Sequence, residues 1–344
     1  MINKIVNISP GLFRLLLAFI VVVFHSVDFL TIGHAAVYIF FVLSGYWIFR
    51  MYSEKYVNFK NAYWVYIRSR LWRIFPIYWL ILVFSIGIHY FLSSVGFKPF
   101  FRDYVISNFI LLGEGINNAK YFIGSAWSLD IELQFYLIAP LLLYFLMKRG
   151  GLFLIISFGF VLVSYIYNYS LFKLETILLY LPYFILGGMI YKLKLKSTSF
   201  WALTSLLVSF SFLGIHYLYP ELKALLFDKN PFLYGVIYQE YVNIILTILI
   251  LPFLIYNIHQ VIKRRELDAV LSSMSYVIYL LHWPLLQVYA YLIDGVSLSL
   301  KFLYLLSYYI ITILLSYIIS ISYDNESEKR RRAWLKLQVY KTNK

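Results

Sequence analysis

An arginine and a histidine, Arg14 and His25, stand in the apolar run LFRLLLAFIVVVFHS. Ionisable side chains in such a run are costly and usually face a bundle interior or a water-filled path. Eleven helical residues turn through about 1100° and rise about 16.5 Å, so the two side chains share one face, about 20° apart. A neutral imidazole there can take a proton from a hydroxyl, and a guanidinium can hold an anion. Taken singly, each has a plainer reading: Arg14 as a snorkelling anchor, His25 as a ring tied to a backbone carbonyl. The common face favours a single polar track.

Three other stretches carry residues of chemical interest. YIRSRLWRIFPIYWL reads as a loop leading into an apolar run and holds Arg68, Arg70 and Arg73. Arg70 and Arg73 become neighbours if that loop is helical. Arginine forks suit phosphate oxygens, either of a phosphate-rich ligand or of anionic lipid headgroups. AWSLDIELQFYLIAP carries Trp127, an interface anchor, then Ser128 and Asp130, which could cap a helix, and Glu132, which lies deeper. Two acids so close could hold a histidine, orient a sugar hydroxyl or move a proton. In YIFFVLSGYWIF, Ser44 and Gly45 permit close helix packing. Nothing in the sequence places a base beside Ser44. His282 precedes Pro284 by two residues and could bond a carbonyl loosened by the proline. His34 opens the second apolar run, where it could approach His25. His89, His216 and His259 fall near the ends of runs and receive no role.

The elements that must position these residues are read from composition and periodicity. The chain has 344 residues, 62% hydrophobic and 13% charged, far from the balance of an ordinary globular domain. Ten apolar runs fit membrane spans at 11–30, 35–50, 74–93, 126–147, 151–169, 176–191, 200–219, 238–258, 270–292 and 298–322. The expected fold is an all-α polytopic bundle of about ten transmembrane helices. With both termini cytoplasmic, 23 of the 30 lysines and arginines fall on the inner side, as the positive-inside rule requires. That set includes Lys4, Lys263, Lys341 and Lys344, whereas Lys98, Arg102, Lys120, Lys173, Lys223, Lys229 and Lys301 fall outside. The net charge of +14 is thereby explained by orientation, and nucleic acid is a poor partner for basic residues scattered over short loops. The absence of cysteine excludes disulfides, thiolate metal sites and an acyl-cysteine relay, and no metal is called for. The longest outer loop, 94–125, contains YVISNFILL, too short to span and read as re-entrant or interfacial. The first run is expected to be a retained helix, with no cleavage site behind it.

Five segments, FRLLLAFIVVVFHS, GHAAVYIFFVLSGYWI, RSRLWRIFPIYW, SAWSLDIELQFYLIAPLL and SYVIYLLHWPLL, stand in this order along the chain. Together they resemble the acyltransferase type 3 family of integral-membrane O-acyltransferases, which modify O-antigen, capsule, nodulation factor and other glycans. The resemblance covers roughly 9–325, strongly over the first 145 residues. It implies that His25 is the catalytic residue, aided by Arg14 and Glu132. It implies that Arg70 and Arg73, with Arg68, Arg14 and Ser44, serve an acyl-CoA donor, acetyl-CoA in the simplest case, used as a co-substrate. Phe40, Phe41, Ser44 and Gly45 match the family's F-F-x-x-S-G. Trp127, Ser128, Leu129, Glu132, Phe135 and Tyr136 match its W-S-L-x-x-E-x-x-F-Y. Trp127, Ser128, Asp130, His34 and His282 are the expected acceptor-side residues, the acceptor being a glycan or lipid-linked glycan.

Where many relatives have Glu followed by Pro after the last helix, this chain has YDNESEKRRR. The expected organisation is therefore a membrane acyltransferase domain at 1–325 and a basic cytoplasmic tail at 326–344, in a bacterial plasma membrane. No length remains for an additional hydrolase-like domain. The rival classes are a transporter or flippase of lipid-linked sugars, a glycan polymerase and a noncatalytic sensor. A transporter would commonly show an inverted repeat, which is not visible, and a polymerase would need no cytosolic arginine grip.

Overall fold

The computed structural model describes residues 6–27, 31–113, 120–167, 176–219, 238–260 and 264–339. Lys4, Lys173, Lys223, Lys229, Lys263, Lys341 and Lys344 lie outside the described residues, as do the predicted span ends at 28–30 and 168–169. Among the described residues the regular structure is helical throughout. The helices are α1 (Pro10–Ser26), α2 (Gly33–Glu54), α3 (Ala62–Ser94), α4 (Val105–Ile110), α5 (Trp127–Tyr167) and α6 (Ile177–Lys192). They continue with α7 (Ser199–Leu218), α8 (Tyr238–Leu249), α9 (Leu251–Ile258), α10 (Arg265–Leu292), α11 (Leu298–Ile319) and α12 (Asn325–Lys336).

Each predicted run falls on helix, but length supports fewer crossings than ten. Among the described residues six helices are long and apolar enough to cross a membrane, seven if the pair α8 and α9, bent by 43°, is one span. The bend falls at Pro252 in the first turn of α9, where a proline cannot continue the preceding ladder. With 17 and 16 residues, α1 and α6 are apolar but short. At 1.5 Å per residue they reach only about 25 Å, against a hydrocarbon core of about 30 Å. The predicted runs 126–147 and 151–169 are two arms of α5, broken where Arg149 leaves helical geometry at φ −140°, ψ 47°.

The chain divides into two compact units. The first comprises Met1–Phe40 and Leu193–Ser275. Its α1 starts at a Ser9 cap, whose hydroxyl accepts the Leu12 N–H, with Pro10 in the first turn. That start is pinned from other helices. Asn257 accepts the Ile8 N–H at 2.9 Å and donates to the Val6 carbonyl at 3.0 Å, and Asp268 accepts the Gly11 N–H at 2.7 Å. A methyl group on Gly11 would lie 2.2 Å from the Asp268 carbonyl oxygen, so only glycine permits this approach. A small core of Ile32, Ala35, Val242 and Leu246 lies under Ile20, Phe212 and Leu213. Beside it Asn243 accepts the Ala35 N–H at 2.7 Å.

The second unit comprises Phe41–Lys192 and Tyr276–Lys344. Here α2 and α6 meet through glycines. A Cβ on Gly45 would lie 2.0 Å from the Phe184 carbonyl oxygen, and one on Gly187 would lie 2.0 Å from that of Val42. Phe135 of α5 stacks on Phe184 at 4.0 Å, fixing the third helix against this pair.

The structure corrects the reading of residues 62–73 as loop: α3 is one helix of 33 residues running through Pro76. It is far longer than a bilayer core requires, so its basic first turns extend beyond the apolar part as regular helix. Within the stretch expected to lie outside, α4 has six residues and ends at Leu111, whose φ of 64° is left-handed. Too short to span, α4 is held on α3: Tyr78 donates to the Asn108 carbonyl at 2.7 Å and Trp79 to that of Phe109 at 3.0 Å.

Candidate active site

In the second unit the basic first turns of α3 face a set of hydroxyls and carboxylates. Because Arg70 and Arg73 are spaced i, i+3 on a continuous helix, they neighbour one another. Arg70 is 7% exposed. It donates through one terminal nitrogen to Tyr56 Oη at 2.9 Å, and that hydroxyl lies 2.8 Å from Ser69 Oγ. Its Nε is buried without a hydrogen-bond partner, and no carboxylate pairs with it among the described residues. Arg73 forks both oxygens of Asp324, at 3.0 and 3.1 Å. Arg68 is exposed and lies over the Trp334 ring at 4.9 Å.

Asp324 comes from the π-helical segment Ser320–Asp324 between α11 and α12, a deviation often found at functional positions. Beyond it, α12 lies along α3. Arg331 chelates both oxygens of Glu328 at 2.7 and 2.8 Å and also donates to Ser69 Oγ. Trp334 packs against Trp72 at 5.9 Å. The segment expected as a basic tail is thus, over Asn325–Lys336, a docked helix.

Deeper in the same unit, Glu132 accepts from Ser44 Oγ at 2.5 Å and from Tyr136 Oη at 2.6 Å. Both donors use Oε1, and Oε2 makes no hydrogen bond among the described residues. The expectation that no base stands beside Ser44 is therefore corrected: the fold brings in a carboxylate 88 positions away.

The neighbours of Glu132 on α5 are engaged in packing. Ser128 lies 2.6 Å from Tyr279 Oη, and Asp130, fully buried, accepts from the Gly113 N–H at 2.8 Å and Gln134 at 2.9 Å. Neither capping role foreseen for them is what these bonds describe. Trp127 stands 5.3 Å from the Tyr180 ring and 6.3 Å from Phe41. His282 is fully buried, with Nδ1 3.1 Å from the Ile278 carbonyl.

The first unit holds the other group. Arg14 donates to Ser272 Oγ of α10 at 3.2 Å, and α1 is uninterrupted from there to His25, so the shared face survives folding. His25 and His34 meet through one ring: Phe24 lies 4.8 Å from His25 and 5.7 Å from His34. Gly33 allows this, since a Cβ there would lie 2.3 Å from Phe24.

Sequence reasoning did not single out Tyr56, Ser69, Asp324, Glu328 or Arg331. A legible signal was the spacing of Glu328 from Arg331 and Arg332, i, i+3 and i, i+4, in the basic tail.

A helical chain this apolar, with six to seven helices among the described residues able to cross a bilayer and charged groups within them, defines a polytopic membrane protein. The family model described as acyltransferase domain, of the type 3 class, matches residues 7–321. The chain belongs to that family, and it is a membrane acyltransferase. No curated protein and no solved structure matches it.

Proposed function

We propose that this protein moves an acyl group, acetyl in the simplest case, from cytosolic acyl-CoA to a hydroxyl of an extracytoplasmic glycan such as O-antigen, capsule or exopolysaccharide. The observation that carries this reading is Arg70. A buried guanidinium without a carboxylate is unfavourable, and a phosphate group is the anion its planar fork suits. Acyl-CoA is rich in phosphate and made in the cytosol. The clustering of basic residues on one side of the predicted spans supports placing the arginine end of α3 there, with both termini cytoplasmic and ten spans in a bacterial plasma membrane.

In this reading Arg70 holds a donor phosphate, Arg68 reaches a second from its exposed position, and Arg73 shares its charge with Asp324. Neutral His25 takes the proton of the acceptor hydroxyl as that oxygen attacks the thioester carbonyl. The carbon–sulfur bond breaks, and the imidazolium returns the proton to the departing thiolate. Arg14 lines the donor's path on the same face of α1. Glu132 contributes its open Oε2, which orients a hydroxyl. His34 and Trp127 act on the acceptor side, while Ser128, Asp130 and His282 act by holding the helices that carry them.

The test uses purified protein in nanodiscs with acetyl-CoA labelled on the acetyl group. Wild type should release or transfer label, His25→Ala should lose it at normal protein level, and Arg70→Ala/Arg73→Ala should need more donor. An active His25→Ala would overturn the base assignment. Folded protein that neither binds donor nor turns over would point instead to transport of lipid-linked sugars.

A further inference from the structure

The arginine that completes the α3 cluster lies beyond the family match. That match ends at residue 321, whereas α12 begins at Asn325. Arg331 of α12 reaches Ser69 Oγ; Ser69 lies 2.8 Å from Tyr56 Oη; and Tyr56 accepts from Arg70 at 2.9 Å. A relay of two hydroxyls therefore joins the guanidinium of α12 to the one on α3 whose Nε has no partner. Tyr56 and Ser69 are fully buried, so water does not substitute for either link.

The two ends of the relay differ in charge balance. Arg331 has Glu328 in a two-point fork, side chains 12% and 19% exposed, and Arg73 has Asp324. Arg70 has only hydroxyl and ring contacts, its guanidinium 5.7 Å from the Tyr56 ring. The carboxylates of the C-terminal segment thus neutralise Arg73 and Arg331, while the buried Arg70 has no carboxylate among the described residues. Such an arrangement holds one buried arginine rigid with its charge unspent, instead of letting it collapse onto an internal acid.

We propose that α12 is a working part of the donor site, in which Arg331 positions Arg70, through Ser69 and Tyr56, to receive a phosphate ester. The ligand class is a phosphorylated donor such as CoA. This rests on the reading that α3 binds that donor. Arg331 is a positioning residue, and its removal should change donor affinity more than the rate of chemistry.

The experiment measures binding of CoA itself, without the acyl group, to the full chain in phosphatidylcholine nanodiscs, together with donor KM and kcat. Arg331→Gln and Ser69→Ala should each weaken CoA binding about tenfold, the scale of one hydrogen bond to a charged group, and raise KM with kcat within about twofold. Arg331→Lys should recover part of the affinity. Ser69→Ala leaves the Arg331–Glu328 fork intact, so it tests the relay without undocking α12. If Arg70→Gln weakens CoA but Arg331→Gln and Ser69→Ala do not, the relay is overturned and the donor reading stands. If folded Arg70→Gln binds CoA as wild type does, the donor reading itself fails. Repeating the series with phosphatidylglycerol present separates the two phosphate sources. Stabilisation by that lipid that is lost in Arg70→Gln, with no CoA binding, would assign the site to a lipid headgroup and overturn the proposal.

Discussion

Ser44 Oγ lies 2.5 Å from Glu132 Oε1, and Tyr136 donates to the same oxygen at 2.6 Å. Two helices therefore fix one carboxylate while its second oxygen makes no bond among the described residues. Glu132→Gln separates geometry from charge, because an amide oxygen in the Oε1 position still accepts from both hydroxyls. We expect this variant to keep its thermal midpoint within a few degrees while kcat falls about 100-fold or more, the range of a lost acid–base or orienting group. Ser44→Ala should cost less, about tenfold in rate. Equal kinetics for Glu132→Gln and wild type would reduce Glu132 to a packing residue.

Gly45 has no space for a side chain, with the Phe184 carbonyl oxygen 2.0 Å from where a Cβ would stand. Gly45→Ala must push α2 away from α6 and disturb Ser44 one residue earlier. Overpacking of this kind costs about 1–3 kcal/mol. Thermal unfolding in detergent should show a lowered midpoint and activity should fall with it; an unchanged midpoint would mean the helices separate without penalty.

Much of this architecture is legible in the sequence because apolar run length and helical period are properties of single segments. The common face of Arg14 and His25 follows from spacing alone, and the approach of His34 follows from a short connection. The first turns of α3 were not legible, since three arginines ahead of an apolar run read as a loop, whereas packing against α12 sustains the helix. Nor was the docking of α12, because a charge run looks the same solvated or paired. The pairings of Ser44 with Glu132 and of Arg73 with Asp324 span 88 and 251 positions. No local period reports contacts that distant, and Tyr56 is one of 34 tyrosines.

Acid should release α12. Burial works to raise the Glu328 carboxyl, but hydrogen bonds and charge from Arg331, then Arg332 and Arg73, outweigh it and hold the group at about 2. A carboxylate depressed in the folded state contributes stability that is fully present above its ordinary value near 4.5, and the contribution is lost as pH falls toward 2. Hydrogen exchange over 325–336, corrected for the intrinsic pH dependence, should rise across that window in wild type. In Glu328→Gln it should already be fast near neutrality. Flat protection down to pH 2 would show that the Trp334 contacts hold α12 without the ion pair.

Asp130 distinguishes a structural carboxylate from one that touches substrate. Its Oδ1 accepts from the Gly113 N–H and from Gln134, and Gln134 in turn accepts the Ile177 N–H at the start of α6, at 3.0 Å. One buried oxygen thus ties Gly113, α5 and α6 together. Asp130→Ala removes the acceptor of two part-buried donors, at a cost of about 1–3 kcal/mol in all, so the thermal midpoint should drop by several degrees. Asp130→Asn retains an oxygen in the Oδ1 position and should keep most of both stability and transfer. Should Asp130→Asn instead keep its stability and lose transfer, the negative charge itself would be needed, and Asp130 would belong with Glu132 in the chemistry.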